Sequence, residues 1–230
     1  MSGLSIAKSL EFNLLRPTVT HDDVRRGCEL ALNYHLAAVC VYPVHVSLAS
    51  EVLRGTTTNV CAAIGFPFGQ DSIPAKLVAI DEAQSDGADE MAVMLDHSAI
   101  ASGEIARATH ELERLSSSMY FGSLITTKGR SQLTVVLETA LIDMTTLGPL
   151  WTQLADSPVG FVQTSSGHQA RAVTVEHVQT LRQLLPENVL VKAVGGVQQH
   201  RDALALLSAG AVRVGTGSAI VIAQEERHAG

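Results

Sequence analysis

Lys192, one of four lysines in this sequence, stands in the short apolar run of residues 190–193 and is a side chain that could do chemistry there. An amine attacks a carbonyl only when it is neutral, and an ordinary lysine pKa of about 10.4 leaves a very small neutral fraction at pH 7. The flanking Val191 and Val194 are compatible with burial, which would lower the pKa toward neutrality. The alternative is a structural cation paired with Glu138 or Glu11, and the sequence leaves both interpretations open.

Other catalytic arrangements are poorly supported by the spacing of the residues. The nine histidines contain no His-x-x-x-His pair and the three cysteines have no metal-ligand spacing, so we expect no metal site and no cofactor. Neither a G-x-S-x-G elbow nor a phosphate-binding P-loop motif is present. Ser165, Ser166 and His168 lie too close together in sequence to indicate a nucleophile with its base.

The elements that must position these side chains follow an alternating pattern. Eight short apolar runs are candidate strands: residues 5–11, 38–41, 59–64, 90–95, 134–138, 160–163, 190–193 and 211–215. Helical patterns occupy residues 73–85, 100–115, 175–185 and 199–209. This alternation predicts one α/β domain over residues 1–230 with a parallel sheet. Eight strands favour a closed TIM (β/α)8 barrel, and periodicity alone leaves a doubly wound open sheet as the alternative.

Local signals mark the ends of several helices. Thr20 and Thr174 are predicted N-caps, and Thr20 is followed by acidic residues in the first turn. Gly87 and Gly210 follow predicted helix ends, where a left-handed cap is expected. The irregular stretch at residues 116–130 is predicted to be an extended loop.

Composition limits the classes of partner. Hydrophobic residues make up 46% and charged residues 17% of the chain, as in a globular domain, and the formal net charge is −7. This balance argues against nucleic acid and anionic membranes. The sequence shows no signal-peptide pattern and no apolar run of about 18 residues that could span a membrane. An odd number of cysteines favours free thiols in the cytoplasm.

Several segments resemble, in order, the motifs of the deoxyribose-phosphate aldolase family. The matching segments are residues 10–17 (family I-D-H-T-L-L-K-P), 38–43 (S-V-C-V-N-P), 64–69 (V-G-F-P-L-G), 87–90 (start of G-A-D-E-I-D), 135–139 (V-I-L-E-T), 161–167 (F-V-K-T-S-T-G), 191–197 (V-K-A-S-G-G-I) and 213–218 (R-I-G-T-S-S). The resemblance covers nearly the whole chain, and it implies a TIM barrel and aldolase chemistry on a small phosphorylated sugar.

The same resemblance implies that part of the catalytic machinery is changed. The family's Schiff-base lysine falls on Gln163, and the aspartate that transfers protons with it falls on Ala92. The second family lysine is retained as Lys192, and the first-strand aspartate is Glu11. An amide nitrogen cannot attack a carbonyl as an amine does. The chain therefore matches the surrounding motif of an enzyme family but lacks the nucleophile that the motif contains in that family.

The phosphate-binding loops are better preserved. In the family, backbone N–H groups of glycine-containing loops after strands six to eight hold the phosphate, and glycine lets the backbone approach an anion. The matching residues are Ser166, Gly167, Gly195, Gly196, Gly215, Gly217 and Ser218, and His168 could add a donor or a cation. Ordinary turns are the alternative interpretation of these glycines.

A replacement acid is suggested by strand alternation. Ala92, Met94 and Asp96 share one face of a regular strand, which would place Asp96 near the carboxyl end of the barrel, where active sites form. The alternative is that Asp96 caps the next helix near Ser98, and we favour the cap.

The remaining pocket residues differ from the family pattern. Tyr42 replaces an asparagine and Asn13 replaces a threonine, so both reshape the substrate end of the predicted pocket. Gln163 and Thr164 could donate or accept hydrogen bonds with a carbonyl or hydroxyl group, and Glu138 completes the pocket at the end of the fifth candidate strand.

Two functions remain open from the sequence. The first is a diverged aldolase-like enzyme that acts on a small carbonyl compound, phosphorylated or not, through Lys192 and either Glu11 or Asp96. The second is a catalytically silent barrel that binds an anionic metabolite or a protein partner. A homodimer is compatible with either function. Ordinary cleavage of deoxyribose 5-phosphate is predicted to be absent or very slow.

Overall fold

Eight parallel strands form a closed barrel. The computed structural model describes residues 5–121, 125–126, 129–169 and 171–229. Each barrel strand pairs with its neighbours along the chain, and the last strand pairs with the first. The strands are β1 Leu10–Leu14, β2 Ala38–Val41, β3 Asn59–Ile64, β4 Glu90–Met94, β5 Gln132–Val136, β6 Val159–Gln163, β7 Leu190–Val194 and β8 Ala211–Thr216. The predicted TIM-type barrel is confirmed, and the open sheet is excluded.

Helices alternate with the strands. They are α1 His21–Asn33, α2 Val46–Val52, α3 Ile73–Ser85, α4 His97–Ala101, α5 Ile105–Phe121, α6 Gly148–Ala155, α7 Val175–Leu184, α8 His200–Ser208 and α9 Ala219–Ala229. Their buried faces share one apolar core with the outer faces of the strands. Within the described ranges, none of the helices combines the length and the apolar character that crossing a membrane requires.

The predicted helix ends are confirmed. The Thr20 side chain accepts a hydrogen bond from Asp23 N, and the Asp23 side chain accepts one from Thr20 N, which together satisfy two N–H groups at the start of α1. Thr174 caps α7 in the same manner. Gly87 and Gly210 have φ of 98° and 113°, a region that favours glycine.

Three predicted elements differ by two or more residues at their ends. The fifth candidate strand, predicted over residues 134–138, is Gln132–Val136. The first strand begins at Leu10 rather than at residue 5, because residues Ile6–Ser9 form a 3-10 turn that the Ser5 side chain caps. The helix predicted over residues 100–115 is two helices, α4 and α5, separated at Gly103, where φ is 74°.

The predicted loop over residues 116–130 is partly regular. Helix α5 continues to Phe121, and Ile125–Thr126 pairs in antiparallel fashion with Gly129–Arg130. Residues 122–124 and 127–128 lie outside the described residues.

Alternating side chains divide each strand into two faces. In β4, Met91 and Val93 pack toward the helices, whereas Ala92 and Met94 belong to a separate cluster inside the barrel. The interior cluster also contains Leu15, Cys40, Cys61, Ala63 and Val136, with Tyr42 and Phe66 packed against it. The assignment of Ala92 to the barrel interior is confirmed.

A buried lysine connects the loops beside β3 and β4. Lys76 of α3 is fully buried, and its Nζ donates to Gly69 O and Met94 O, each at 2.7 Å. The same Nζ lies 2.5 Å from Glu111 Oε1 of α5. Glu111 Oε2 accepts a hydrogen bond from Asp96 N at 2.8 Å. One ion pair thus anchors the ends of two strands and two helices.

We predict that Lys76→Ala lowers the free energy of unfolding by about 3–5 kcal/mol, because it leaves Glu111 buried and without its counter-charge. Urea denaturation followed by circular dichroism measures this loss. Lys8→Ala, at an exposed lysine, is the control and should change stability by less than about 0.5 kcal/mol. A Lys76→Ala protein as stable as the control would contradict this role.

Candidate active site

An ion pair lies inside the barrel between β7 and β1. Lys192 Nζ is 2.5 Å from Glu11 Oε1, and the exposed fractions of the two side chains are 0% and 1%. Strand β8 runs between these two strands, and its Gly215 is the register partner of Glu11. A Cβ at Gly215 would lie 3.2 Å from Glu11 Oε1 and 2.8 Å from Val194 Cγ2. The glycine therefore leaves the space in which the two side chains meet.

A second ion pair lies nearer the amino ends of the strands than the first. Arg213 forms an ion pair with Glu90, and its Nη1 is 3.8 Å from Glu11 Oε2. Asn59 donates a hydrogen bond to Glu90 at 2.7 Å, and the Arg213 guanidinium lies 4.9 Å from the centre of the Phe161 ring. Burial alone would raise the Glu90 pKa, but Arg213 holds it below its ordinary value. A buried lysine and a partly buried arginine are thus matched by two buried carboxylates.

The environment of Lys192 favours its charged form. Burial has the largest single effect and would lower the Lys192 pKa, but the negative potential of the surrounding groups outweighs burial and raises the pKa above its ordinary value. Those groups are Cys61, Glu11, Cys40 and Glu90. Because the pKa is raised in the folded state, the ion pair stabilises the fold at neutral pH, and this stabilisation is lost only as the pH rises through the raised pKa.

Of the two interpretations of Lys192, this geometry favours the structural cation. The partner is Glu11, whereas Glu138 accepts hydrogen bonds from Ser165 Oγ at 2.8 Å and from Ser166 N at 2.9 Å. Glu138 thus supports the loop after β6.

Gln163 lies beside Lys192, its register partner on the neighbouring strand. The amide is buried, and its Nε2 donates to Ser165 O at 2.7 Å. Gln163 Oε1 has no hydrogen-bond partner among the described residues. Thr164 is bound to the backbone of the next strand, because its Oγ1 donates to Val194 O and accepts from Val194 N, both at 2.9 Å. Thr164 therefore positions the end of β7.

A cavity of about 340 Å³ opens at the carboxyl end of β6, β7, β8 and β1. It brings together most of the predicted anion-binding residues and Asn13, namely Ser166, Gly167, His168, Gly195, Gly196, Gly215, Gly217 and Asn13. Ser218 does not line it, and its N–H donates to Thr216 Oγ1 at 3.0 Å. Arg16 does line the cavity and was not predicted. Its position just after β1, at the mouth of a predicted barrel, was the signal available in the sequence.

The rim of the cavity is connected across the mouth. Tyr42 Oη donates to Leu15 O at 3.0 Å, and His168 Nε2 lies 3.3 Å from the same oxygen. Burial raises the Tyr42 pKa, so the phenol stays protonated at neutral pH. Tyr42 thus orients the loop after β1 from inside the barrel rather than lining the cavity.

The cavity and the ion pair are adjacent but separate. Asn13, Val194 and Gly215 line the cavity, and Gly215 also lies against Glu11. Lys192 and Gln163 do not line it, and Lys192 has no exposed surface. A molecule in the cavity would therefore meet polar backbone and Asn13 before it reached the ammonium group.

Asp96 occupies the helix-cap position that we favoured. Its Oδ1 accepts hydrogen bonds from Ser98 N at 3.0 Å and Ala99 N at 3.1 Å at the start of α4, and its Oδ2 lies 2.7 Å from an Arg107 nitrogen. It lines a different cavity, together with Asp71. The predicted position on the interior face beyond Met94 is therefore wrong, because the chain turns into α4 and directs both carboxylate oxygens to other partners.

Comparison with known proteins identifies close relatives along the whole chain. No protein-family model matches the chain. The deoxyribose-phosphate aldolase of Caldanaerobacter subterraneus subsp. tengcongensis is 33% identical over 229 residues, which cover 100% of this chain and 96% of that protein. The enzyme of Micrococcus luteus is 32% identical over 222 residues, which cover 96% of both chains.

Solved structures give the same result. The structure titled "QR15, an Aldolase" has a TM-score of 0.86 at 28% identity and covers 99% of both chains. The deoxyribose phosphate aldolase from Aeropyrum pernix, described as tetrameric, has a TM-score of 0.85 at 26% identity and covers 98% of this chain and 92% of that one. With its barrel, its motifs and relatives above 30% identity over its full length, the chain belongs to the deoxyribose-phosphate aldolase family.

Proposed function

We propose that this family member binds a small phosphorylated carbonyl compound at the barrel mouth and does not process it through a lysine imine. Ordinary cleavage of deoxyribose 5-phosphate is then absent or very slow. The observation that carries the proposal is the buried Lys192–Glu11 ion pair beside Gln163. Imine formation needs a neutral amine in contact with the carbonyl, and Lys192 is a paired ammonium with no exposed surface.

The mouth supports binding of an anion. Backbone from three loops lines the cavity, and glycines at 167, 195 and 196 have positive φ, which suits close approach of the backbone to a ligand. Arg16 and His168 add a cation and a potential donor at the same rim. The volume of about 340 Å³ is at the small end of the range for ligand sites, which favours a metabolite of a few carbons.

A second candidate is acid–base chemistry on the bound carbonyl compound. Asn13 lines the cavity and its Oδ1 has no hydrogen-bond partner among the described residues, so a polar ligand group could bind there. Glu11 and Lys192 lie directly behind Gly215. Proton exchange next to the carbonyl, without cleavage of a carbon–carbon bond, would be the signature of this activity.

We propose a cytoplasmic location. Cys28, Cys40 and Cys61 are free and buried, which fits a compartment that keeps thiols reduced.

The proposed function predicts binding without cleavage. Calorimetry should detect binding of both inorganic phosphate and deoxyribose 5-phosphate. The rate of acetaldehyde release should stay about 10⁴-fold or more below that of the Caldanaerobacter relative, because the nucleophile is absent. Proton spectra recorded in D₂O on the same mixture report any exchange next to the carbonyl, which would favour the second candidate. Cleavage at the rate of the relative would contradict the proposal.

Variants at Gly217 locate the binding site. Gly217 lines the cavity, and a Cβ there would meet no heavy atom closer than 3.8 Å, so Gly217→Leu should block the cavity without straining the loop and weaken binding at least ~10-fold. Gly217→Ser restores the family's residue and should preserve binding. The matched control is Gly148→Leu, at an exposed glycine that does not line the cavity. Equal affinities for Gly217→Leu and Gly148→Leu would place the ligand elsewhere.

Covalent trapping tests the absence of an imine. With an aldehyde and borohydride, the unaltered protein should form no adduct on Lys192, since the ammonium is paired and buried. The double variant Gln163→Lys with Ala92→Asp should form an adduct on residue 163, because a second lysine beside Lys192 would have its pKa lowered by the like charge. Peptide mass spectrometry identifies the modified residue, and Ala92→Asp alone is the control. An adduct on Lys192 in the unaltered protein would overturn the proposal.

A further inference from the structure

Three ligand-type side chains meet inside the barrel although they are distant in sequence. One ligand atom each from Glu11, Cys40 and Cys61 lies within 4.8 Å of the other two, and all three residues are buried. No spacing rule in the sequence predicts this group. The strand register creates it, because Cys40 of β2 and Cys61 of β3 are direct partners and Glu11 lies on the adjacent β1.

We propose that Glu11, Cys40 and Cys61 form a binding site for a single thiophilic divalent cation of the zinc type. Zinc binds thiolate at about 2.3 Å and carboxylate oxygen at about 2.0–2.2 Å, so donor atoms around one ion lie roughly 3.5–4 Å apart. Small side-chain movements bring the three observed donors into that range. Three protein ligands with one open position are a common zinc arrangement.

The Glu11 carboxylate can bind a metal ion in addition to its contact with Lys192. Glu11 contacts Lys192 through Oε1, yet the orientation of that contact makes neither Glu11 oxygen a hydrogen-bond acceptor, and neither has a hydrogen-bond partner among the described residues. Arg213 Nη1, at 3.8 Å from Oε2, is within ion-pair distance only. A carboxylate can keep an ammonium on one oxygen and bind a metal ion with the other. Buried acceptors without partners are uncommon, and a cation would satisfy them.

The charge inside the barrel stays balanced when the ion binds. Glu11 and Glu90 offset Lys192 and Arg213, and a cysteine side chain in its thiol form carries no charge. Binding breaks two S–H bonds, forms two metal–sulfur bonds and releases two protons to solvent. A divalent cation thus replaces two protons, and the net charge of the interior does not change. No oxidant or reductant is needed.

Cobalt(II) is the probe, because its absorption spectrum distinguishes binding to thiolates from binding to surface histidines. The protein is unfolded and refolded with Co²⁺ and a non-thiol reductant, so that a buried site is reached and no disulfide forms. We expect about one Co²⁺ per chain with near-ultraviolet sulfur-to-cobalt charge-transfer absorption, which requires thiolate ligands. Zinc should displace the cobalt and remove this absorption.

Matched cysteine variants test the assignment. Cys61→Ala and Cys40→Ala should each abolish the charge-transfer absorption and weaken binding at least ~100-fold, more than the loss of an outer partner of a metal ligand typically costs. Cys28→Ala, at the buried free thiol of α1, should bind cobalt as the unaltered protein does. Circular dichroism confirms that each variant is folded, and either barrel cysteine alone suffices for the test.

Two outcomes would overturn the inference. One is that the refolded, unaltered protein shows no charge-transfer absorption. The other is that a folded Cys61→Ala or Cys40→Ala protein retains the full absorption, or that Cys28→Ala abolishes it. Neither outcome bears on anion binding at the mouth, which is measured separately with metal-free protein.

Discussion

The fully buried ammonium group of Lys192 is the constraint on which the barrel interior depends. A charge removed from water is strongly unfavourable unless an opposite charge lies close to it, and Glu11 provides that charge at 2.5 Å. The contact spans β8, so it requires Gly215 to have no side chain. Arg213 and Glu90 repeat the arrangement nearer the amino ends of the strands. The first pair joins β7 to β1 and the second joins β8 to β4. Both therefore connect strands on the two sides of the β8–β1 contact that closes the barrel.

The Lys192–Glu11 ion pair keeps the lysine apart from the cavity at the mouth. An imine-forming aldolase would combine an anion-binding site and a reactive lysine in one pocket. The loops predicted to bind an anion lie at the mouth, where Gly196 and Gly217 line an open cavity. The lysine lies behind Val194 and Gly215, held by a carboxylate rather than exposed to a carbonyl. Gln163 occupies the neighbouring position and donates to its own loop, which gives the interior an amide in place of an amine. Binding can therefore persist where imine chemistry does not.

Much of the architecture could be predicted from the sequence, for reasons of periodicity and local chemistry. Apolar runs that alternate with helical patterns predict a parallel sheet, and the family resemblance favours a closed barrel over an open sheet. The Thr20 cap follows from its own side chain and that of Asp23. Glycines at the ends of three predicted strands must come together at one end of any such barrel. The family resemblance marks these same loops as phosphate-binding, so most residues that line the cavity could be named from the sequence.

What could not be predicted depends on contacts across the barrel. The sequence left Glu11 and Glu138 equally suitable as partners of Lys192, because only the positions of β8 and Gly215 decide between them. Cys40 and Cys61 carry no spacing signal, since register rather than separation brings them together. Asp96 could be assigned to the interior face only by extending β4 beyond its end, and helix capping overrode that pattern.

The most direct measurement is the titration of Lys192 itself. The chain has four lysines, so carbon-13 labelling at lysine Cε gives a simple spectrum, and the signal missing from Lys192→Arg identifies the residue. We predict that the Lys192 signal keeps its ammonium chemical shift from pH 6 to beyond the ordinary lysine pKa of about 10.4, with and without deoxyribose 5-phosphate. A Lys192 signal that titrates near pH 7–8 would show a neutral amine available for attack, and would contradict the structural role assigned to this residue.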